Sequence, residues 1–397
     1  MSDTGSGPFR KSMMPVLALL VTLGMTATEA SAVEDVHRVV DLGTLPGHVY
    51  SETSGVNDSG EVAGTSYDTA LAASRAVRWN SRGRIEDLGV SPGTTRSVAN
   101  AINAHGTVVG FSYTTDFGDS HAIRWDASGR MRELGLLPGG IGGWAVGVND
   151  EGTAIGGVLL GDRRHRAVKW DRDGRVTDLG PLESDSQANS SAISDSGAVV
   201  GTSYTDIANA HPVRWSRGGP IALALLPGDT TGNALRVNND GTAVGNVYRD
   251  DPGPHARKWD GRGRVTGLSP LPGGTNSWAG DINDHGIVVG NSDRGDRQSQ
   301  AVKWDRTGTV FPLSSFGGPS DAVAINRRGT VAGNAQRAGG NRAVIWDTAG
   351  RITDLGTLPG STRPSEAVSL NDHGTVIGYA FTERGEWHAA LWPAPRR

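Results

Sequence analysis

The segment from Ala279 to Gly290, AGDINDHGIVVG, sets a pattern that returns eight times along the chain. Its Asn stands at positions 57, 103, 149, 238, 283, 326 and 371, with Ser194 in its place in the fourth copy, and successive copies lie 43 to 46 residues apart. A fixed period of that size marks a repeat architecture, in which each unit buries its apolar face against its neighbours. The chain's 397 residues would otherwise suggest roughly two or three domains, but a closed ring of repeats uses that length once.

One period, from Asp87 to Arg132, contains four short β-like runs. Asp87-Leu88-Gly89 precedes a Pro92-Gly93 turn, then come VANAINAHG, TVVGFSY, a polar stretch, HAIRW ending at Trp125, and the turn Asp126-Ala127-Ser128-Gly129. Clusters of Gly, Pro, Asn and Asp bound each run, as turns require. Four strands per period of this length predict an all-β protein, an eight-bladed β-propeller of four-stranded blades. The Trp at 79, 125, 170, 215, 259, 304, 346 and 392 recurs in every copy and is read as packing between blades. Small residues two and four positions before the repeat Asn, such as Ala99 and Ala101, place that strand innermost, where neighbouring blades crowd it. The eighth copy lacks an outer strand after Trp392, and Val36 to Gly43 supplies a surplus one, VHRVVDLG. Added to the last blade, this N-terminal strand closes the ring and removes the open edges. An open solenoid would need capping ends that the sequence does not show.

The N-terminus reads as a secretory signal peptide over residues 1–32. Arg10 and Lys11 precede an apolar run of about 13 residues, Pro15 to Ala27, and Ala30-Ser31-Ala32 forms a small-x-small cleavage site. The run is short for a membrane span, so no integral span is expected after cleavage. Residues 33–397 are then one propeller domain, secreted and extracellular, and monomeric. The chain has no Cys, which excludes disulfides and thiolate chemistry, and its net charge of -4 is spread without a basic stripe, which argues against nucleic acid.

These residues resemble the HAF family of extracellular repeats. The resemblance rests on G-x-x-x-D-L-G-T-L-P-G, S-x-A-x-x-I-N-x-x-G-x-V-V-G and H-A-x-x-W, seen most fully from Gly350 to Trp392. His121-Ala122-Ile123 and His388-Ala389-Ala390 carry the namesake positions, and the match covers nearly all of residues 37–392. It implies a secreted, propeller-like protein and no particular reaction. Copies four to six depart from the pattern at the outer strand or its turns: Gly219-Pro220 replaces Gly-Arg, and Leu223 and Leu268 lie outside an Asp-Leu-Gly.

In such a ring the loops from outer to next inner strand, and those from second to third strand, share one face, and the short Gly hairpins take the other. The loop face surrounds a channel mouth and is the default place for a ligand. Five positions before the repeat Asn the copies carry Glu52, Val98, Trp144, Asn189, Asn233, Trp278, Asp321 and Glu366. Asp321, Glu366 and Glu52 fall in blades seven, eight and one, which a closed ring makes neighbours. They are the candidate acid/base residues, because clustered carboxylates raise one another's pKa. Trp144 and Trp278 are candidate aromatic platforms for a sugar ring or a flat apolar ligand. Asn189 and Asn233, the loop residue Trp387 and the first-loop His48 complete the candidate ligand set. The aromatics three residues after the Val-Val-Gly glycine (Tyr67, Tyr113, Tyr204, Tyr248, Phe381) recur with the repeat and are read as strand-end packing.

No metal site or cofactor is expected. HExxH and zinc-ligand spacings are absent, and Asp171 and Asp173 lack the remaining ligands of a Ca²⁺ loop. No Gly-x-Ser-x-Gly elbow appears, and the GGIGG run at 139–143 lacks the Lys of a phosphate loop. The sequence therefore predicts a module that binds a small molecule, glycan or cell-wall fragment at the channel mouth. The alternatives are an enzyme (hydrolase, lyase or cyclase) using the same pocket, and a protein-interaction scaffold.

Overall fold

The computed structural model describes residues 39–394 except 115–118, 252 and 296–297. The expected signal peptide lies outside the described residues. The described chain forms eight antiparallel four-stranded sheets, the blades of a β-propeller. Blade 1 runs from the inner strand Tyr50–Val56 through Val62–Tyr67 and Ser74–Trp79 to the outer strand Ile85–Asp87. Seven blades follow this order; in blade 8 the outer strand is Val40–Asp41, paired antiparallel with Trp387–Trp392. The N-terminal strand thus closes the ring, as its sequence predicts.

The seam is stitched by side chains as well. Trp79 of blade 1 donates its indole N–H to the Leu42 carbonyl at 2.7 Å, and His388 donates from Nδ1 to Asp41 at 2.9 Å. Trp387 stacks on Tyr50 with ring centroids 3.9 Å apart. The departures in blades four and five do not remove strands: Gly219–Ala222 and Val265–Gly267 still form the outer edge, and Leu223 and Leu268 are buried.

The core lies between blades. One apolar cluster joins Val244 and Ala256 of blade 5 to Ala279, Val288 and Trp304 of blade 6, and the pattern repeats around the ring. All eight repeat Trp are buried, and six donate their indole N–H to a carbonyl on the preceding blade. Each buried indole contributes on the order of 3 kcal/mol or more.

The repeat Asn has a role the sequence does not spell out. Its Nδ2 donates across the blade boundary to the backbone carbonyl of the next copy's Asn or Ser, at 2.9–3.2 Å. Its Oδ1 accepts the backbone N–H four residues on, for example Thr242 at 2.9 Å. The result is a hydrogen-bonded belt around the hairpin mouth, open only where Ser194 replaces Asn and makes no bond to blade 5. A second belt runs beside it, in which the backbone N–H after the repeat Asn reaches an Asp or Asn carboxamide or carboxylate on the next blade. It joins Ala104 to Asp150, Asp195 to Asn239 and Asp372 to Asp58, at 2.9 Å each.

Candidate functional site

The mouth residues owe their placement to the backbone. Every inner strand has a register shift between the fourth and second residues before the repeat Asn, as between Thr53 and Gly55 or Ala367 and Ser369. Such a bulge re-aims the side chains beside it. Facing it, the Val-Val-Gly glycine approaches the carbonyl of the mouth residue so closely that a β-carbon would lie 2.0 Å from Glu52 O in blade 1 and 1.8 Å from Glu366 O in blade 8. Only Gly fits there.

The carboxylates of blades 7, 8 and 1 form one arc. Glu52 accepts a bond from the Tyr67 hydroxyl, and Glu366 accepts from the Tyr379 hydroxyl and from Asn341 Nδ2 at 3.2 Å. Asn334 donates to Asp321 at 3.2 Å. Burial pushes the Asp321 carboxyl up to about 6, with the Glu366 charge adding and the Asn334 amide opposing. Burial also raises the Tyr379 hydroxyl, with Glu366 next and Glu52 and Asp321 adding, so the three acids act on one another's surroundings. An acid held near 6 gives and takes a proton close to neutral pH.

The other half of the mouth is amide and aromatic. Trp144 lies over Gly157, whose missing side chain leaves the room, and its ring meets His165 edge-on at 5.4 Å. Asn189 donates to the Tyr204 hydroxyl at 3.0 Å, and that hydroxyl lies 3.2 Å from His165 Nδ1. Burial lowers the His165 pKa. Asn233 accepts from the Asn246 N–H at 3.4 Å, and Trp278 is 36% exposed.

The ring therefore brings Asp321, Glu366 and Glu52 together, and places Trp144, Asn189, Asn233 and Trp278 in order on blades 3 to 6. Trp387 stands at the seam with one face covered by Tyr50, and His48 bonds Ser66 Oγ through Nδ1 at 3.1 Å beside the same seam. Tyr67 and Tyr204, read from the sequence as packing, use their hydroxyls on the mouth residues instead. The period hides this, because a recurring residue looks structural whatever its hydroxyl touches. Tyr379, Asn334, Asn341 and His165 are not legible as site residues in the sequence; Tyr379, Asn341 and His165 are signalled only by departing from their repeat positions, and Asn334, which recurs as Asn246 and Asn291, by nothing.

The channel's other end differs. A cavity of about 370 Å³ lies at the hairpin mouth, lined by the Asn belt and by Val56, Ile102, Val148, Ile193, Val237, Ile282, Ile325 and Leu370. Its amides are already bonded to the neighbouring blades, so it offers few free partners to a ligand. Among the described residues, no helix is long and apolar enough to cross a membrane, and no group of three or more His, Cys, Asp or Glu could hold a metal.

No family model and no curated protein matches the chain. Solved structures do. The chain is similar to a puromycin hydrolase S511A mutant complexed with PGG, with a TM-score of 0.54 and 17% identity over 87% of this chain and 58% of that one. It is similar to a prolyl endopeptidase with a TM-score of 0.59 and 12% identity, over 84% of this chain and 54% of that one. The chain thus spans little more than half the length of either, and at these identities the likeness is one of propeller fold alone.

Proposed function

We propose that this propeller is a secreted binding protein of the HAF-repeat kind that takes a small extracellular ligand at its loop-side channel mouth. The observation that carries the reading is the contrast among mouth positions. Eight residues on equivalent, backbone-fixed seats carry three carboxylates in one arc and Val98, two Trp and two Asn in the other. A packing role would favour one residue type at all eight seats, as the repeat Trp and Asn show. Export is supported by the basic, apolar and small-residue order of the first 32 residues. Half-exposed aromatics with convergent polar groups are the usual furniture of a ligand site.

One observation favours an enzyme as the second reading: Asp321, raised to about 6, stands beside Glu366, a pairing suited to proton transfer in a hydrolase, lyase or cyclase.

The test uses purified residues 33–397 incubated with the producing culture's extracellular extract, followed by liquid chromatography and mass spectrometry. A compound depleted from solution and recovered unchanged from the protein is the expected result, lost in Trp144→Ala and Trp278→Ala. A compound converted to a new mass or isomer by the native protein but not by Asp321→Asn or Glu366→Gln would replace binding with catalysis. No change with any fraction, in native protein or variants, would overturn both readings in favour of a scaffold.

A further inference from the structure

The inner strands face no solvent except the channel. Of all their residues only Ile141, Trp278 and Arg236 are exposed. Ile141 and Trp278 sit at the loop end. Arg236 sits deeper, two residues before Asn238, at a position where six other blades carry Gly55, Ala101, Gly147, Ala192, Ala324 and Ser369. A long, exposed cationic side chain stands out among these small residues. Its one hydrogen bond runs from Nη1 to the Leu235 carbonyl at 3.0 Å, and among the described residues it forms no ion pair. The nearby carboxylate, Asp281 on blade 6, has its pKa raised by burial against the opposing pull of the Arg236 charge, and its Oδ2 is taken by the Ile325 N–H of blade 7 at 2.9 Å. Just beyond Arg236, Val237, Ile282, Ile325 and their counterparts line the cavity at the hairpin mouth.

The lumen therefore carries opposite charge at two depths. The acidic arc of Asp321, Glu366 and Glu52 stands five residues before the repeat Asn, and the Arg236 guanidinium stands two before it. Three residues of strand separate these levels by at most about 10 Å. A guanidinium recognises carboxylates and other oxyanions with paired N–H donors. We infer that the channel takes a short zwitterion, with its ammonium group at the acidic arc and its carboxylate inward on Arg236. A peptide of about three residues, at ~3.3 Å per residue, covers that difference in depth. The inference rests on the loop mouth being the ligand's entrance, and it names the chemical class that enters.

The experiment titrates the native protein with the tripeptide Gly-Phe-Gly, its C-terminal amide and its N-acetyl form, read by isothermal calorimetry. The free tripeptide binds, and each capped form binds about tenfold to hundredfold more weakly, the worth of one charged hydrogen-bonded contact. In Arg236→Gln the tripeptide and its amide bind alike, while the loss on acetylation remains. Arg236→Lys restores part of the preference for the free carboxylate. Arg236 is exposed, so both variants keep the native melting temperature. Equal binding of the three peptides, no binding of any, or an amide penalty that survives Arg236→Gln would overturn the inference. The mouth reading fails separately: extract compounds still captured by native protein and lost in Trp278→Ala would leave it standing after the tripeptide had failed.

Discussion

The two ends of the channel are built from the same eight strands and obey opposite rules. At the hairpin end one residue type recurs, its amide donor reaches the next blade while its oxygen holds its own hairpin, and the belt is broken only at Ser194. At the loop end the equivalent seats hold Glu, Val, Trp, Asn and Asp, and several of them meet solvent. A buried amide that bridges two blades cannot be exchanged without stranding its partners, whereas a seat whose backbone is fixed by a Gly and a bulge can hold different side chains, each matched only to the facing strand, as Trp144 is to Gly157. Constancy therefore marks where the ring is held together, and variety marks the seats at which we propose that it meets a ligand.

The largest effect that would break this comparison is expected at Asn238. Asn238→Ala strands the Asn283 carbonyl and the Thr242 N–H, both bonded at 2.9–3.1 Å, and should cost about 2–4 kcal/mol in urea denaturation. A loss below about 0.5 kcal/mol would show the belt to be incidental. Next comes Asp321→Asn. The native carboxyl is raised from 3.8 to about 6, so the unfolded chain ionises first as pH rises, and native stability falls between about pH 4 and 6. The variant lacks that cost. Its advantage should be absent below pH 4 and reach up to about 3 kcal/mol above pH 6, since each tenfold change in acidity is worth about 1.4 kcal/mol. A pH-independent difference would sink the buried-acid account. Ser194→Asn should complete the belt and stabilise the protein by roughly 1 kcal/mol, seen as a raised melting temperature. No gain would mean that the blade 4–5 boundary is too wide to bridge. The smallest effect sharpens the contrast: Trp278→Ala, at a 36%-exposed loop-end seat, should change stability by no more than about 0.5 kcal/mol while removing ligand capture.

Much of the fold is legible in the sequence because its determinants are local or periodic. The spacing of the repeat Asn and Trp sets the blade count, and VHRVVDLG at one end with a missing strand at the other sets the closure. The acidic arc is also legible, since adjacency in a closed ring follows from copy number alone. What stays hidden depends on contacts between strands or blades. Tyr379 is invisible because its hydroxyl acts on Glu366 across a strand pair, and His165 because its partners Trp144 and Tyr204 belong to different blades. Arg236 is obscured by the small-residue rule itself: Ala99 and Ala101 establish the taper, and a single larger residue at the same place reads as a lapse in the repeat until its exposure to the lumen is seen.

The close approach of each Val-Val-Gly glycine to the mouth residue's carbonyl has a consequence for how such proteins diversify. The backbone holds each seat, so a seat and the one residue facing it can be re-lettered together without renegotiating the core. Eight such seats form an alphabet written around a circle, in which a single mutation changes the reading of the pocket while the frame that displays it stays in register.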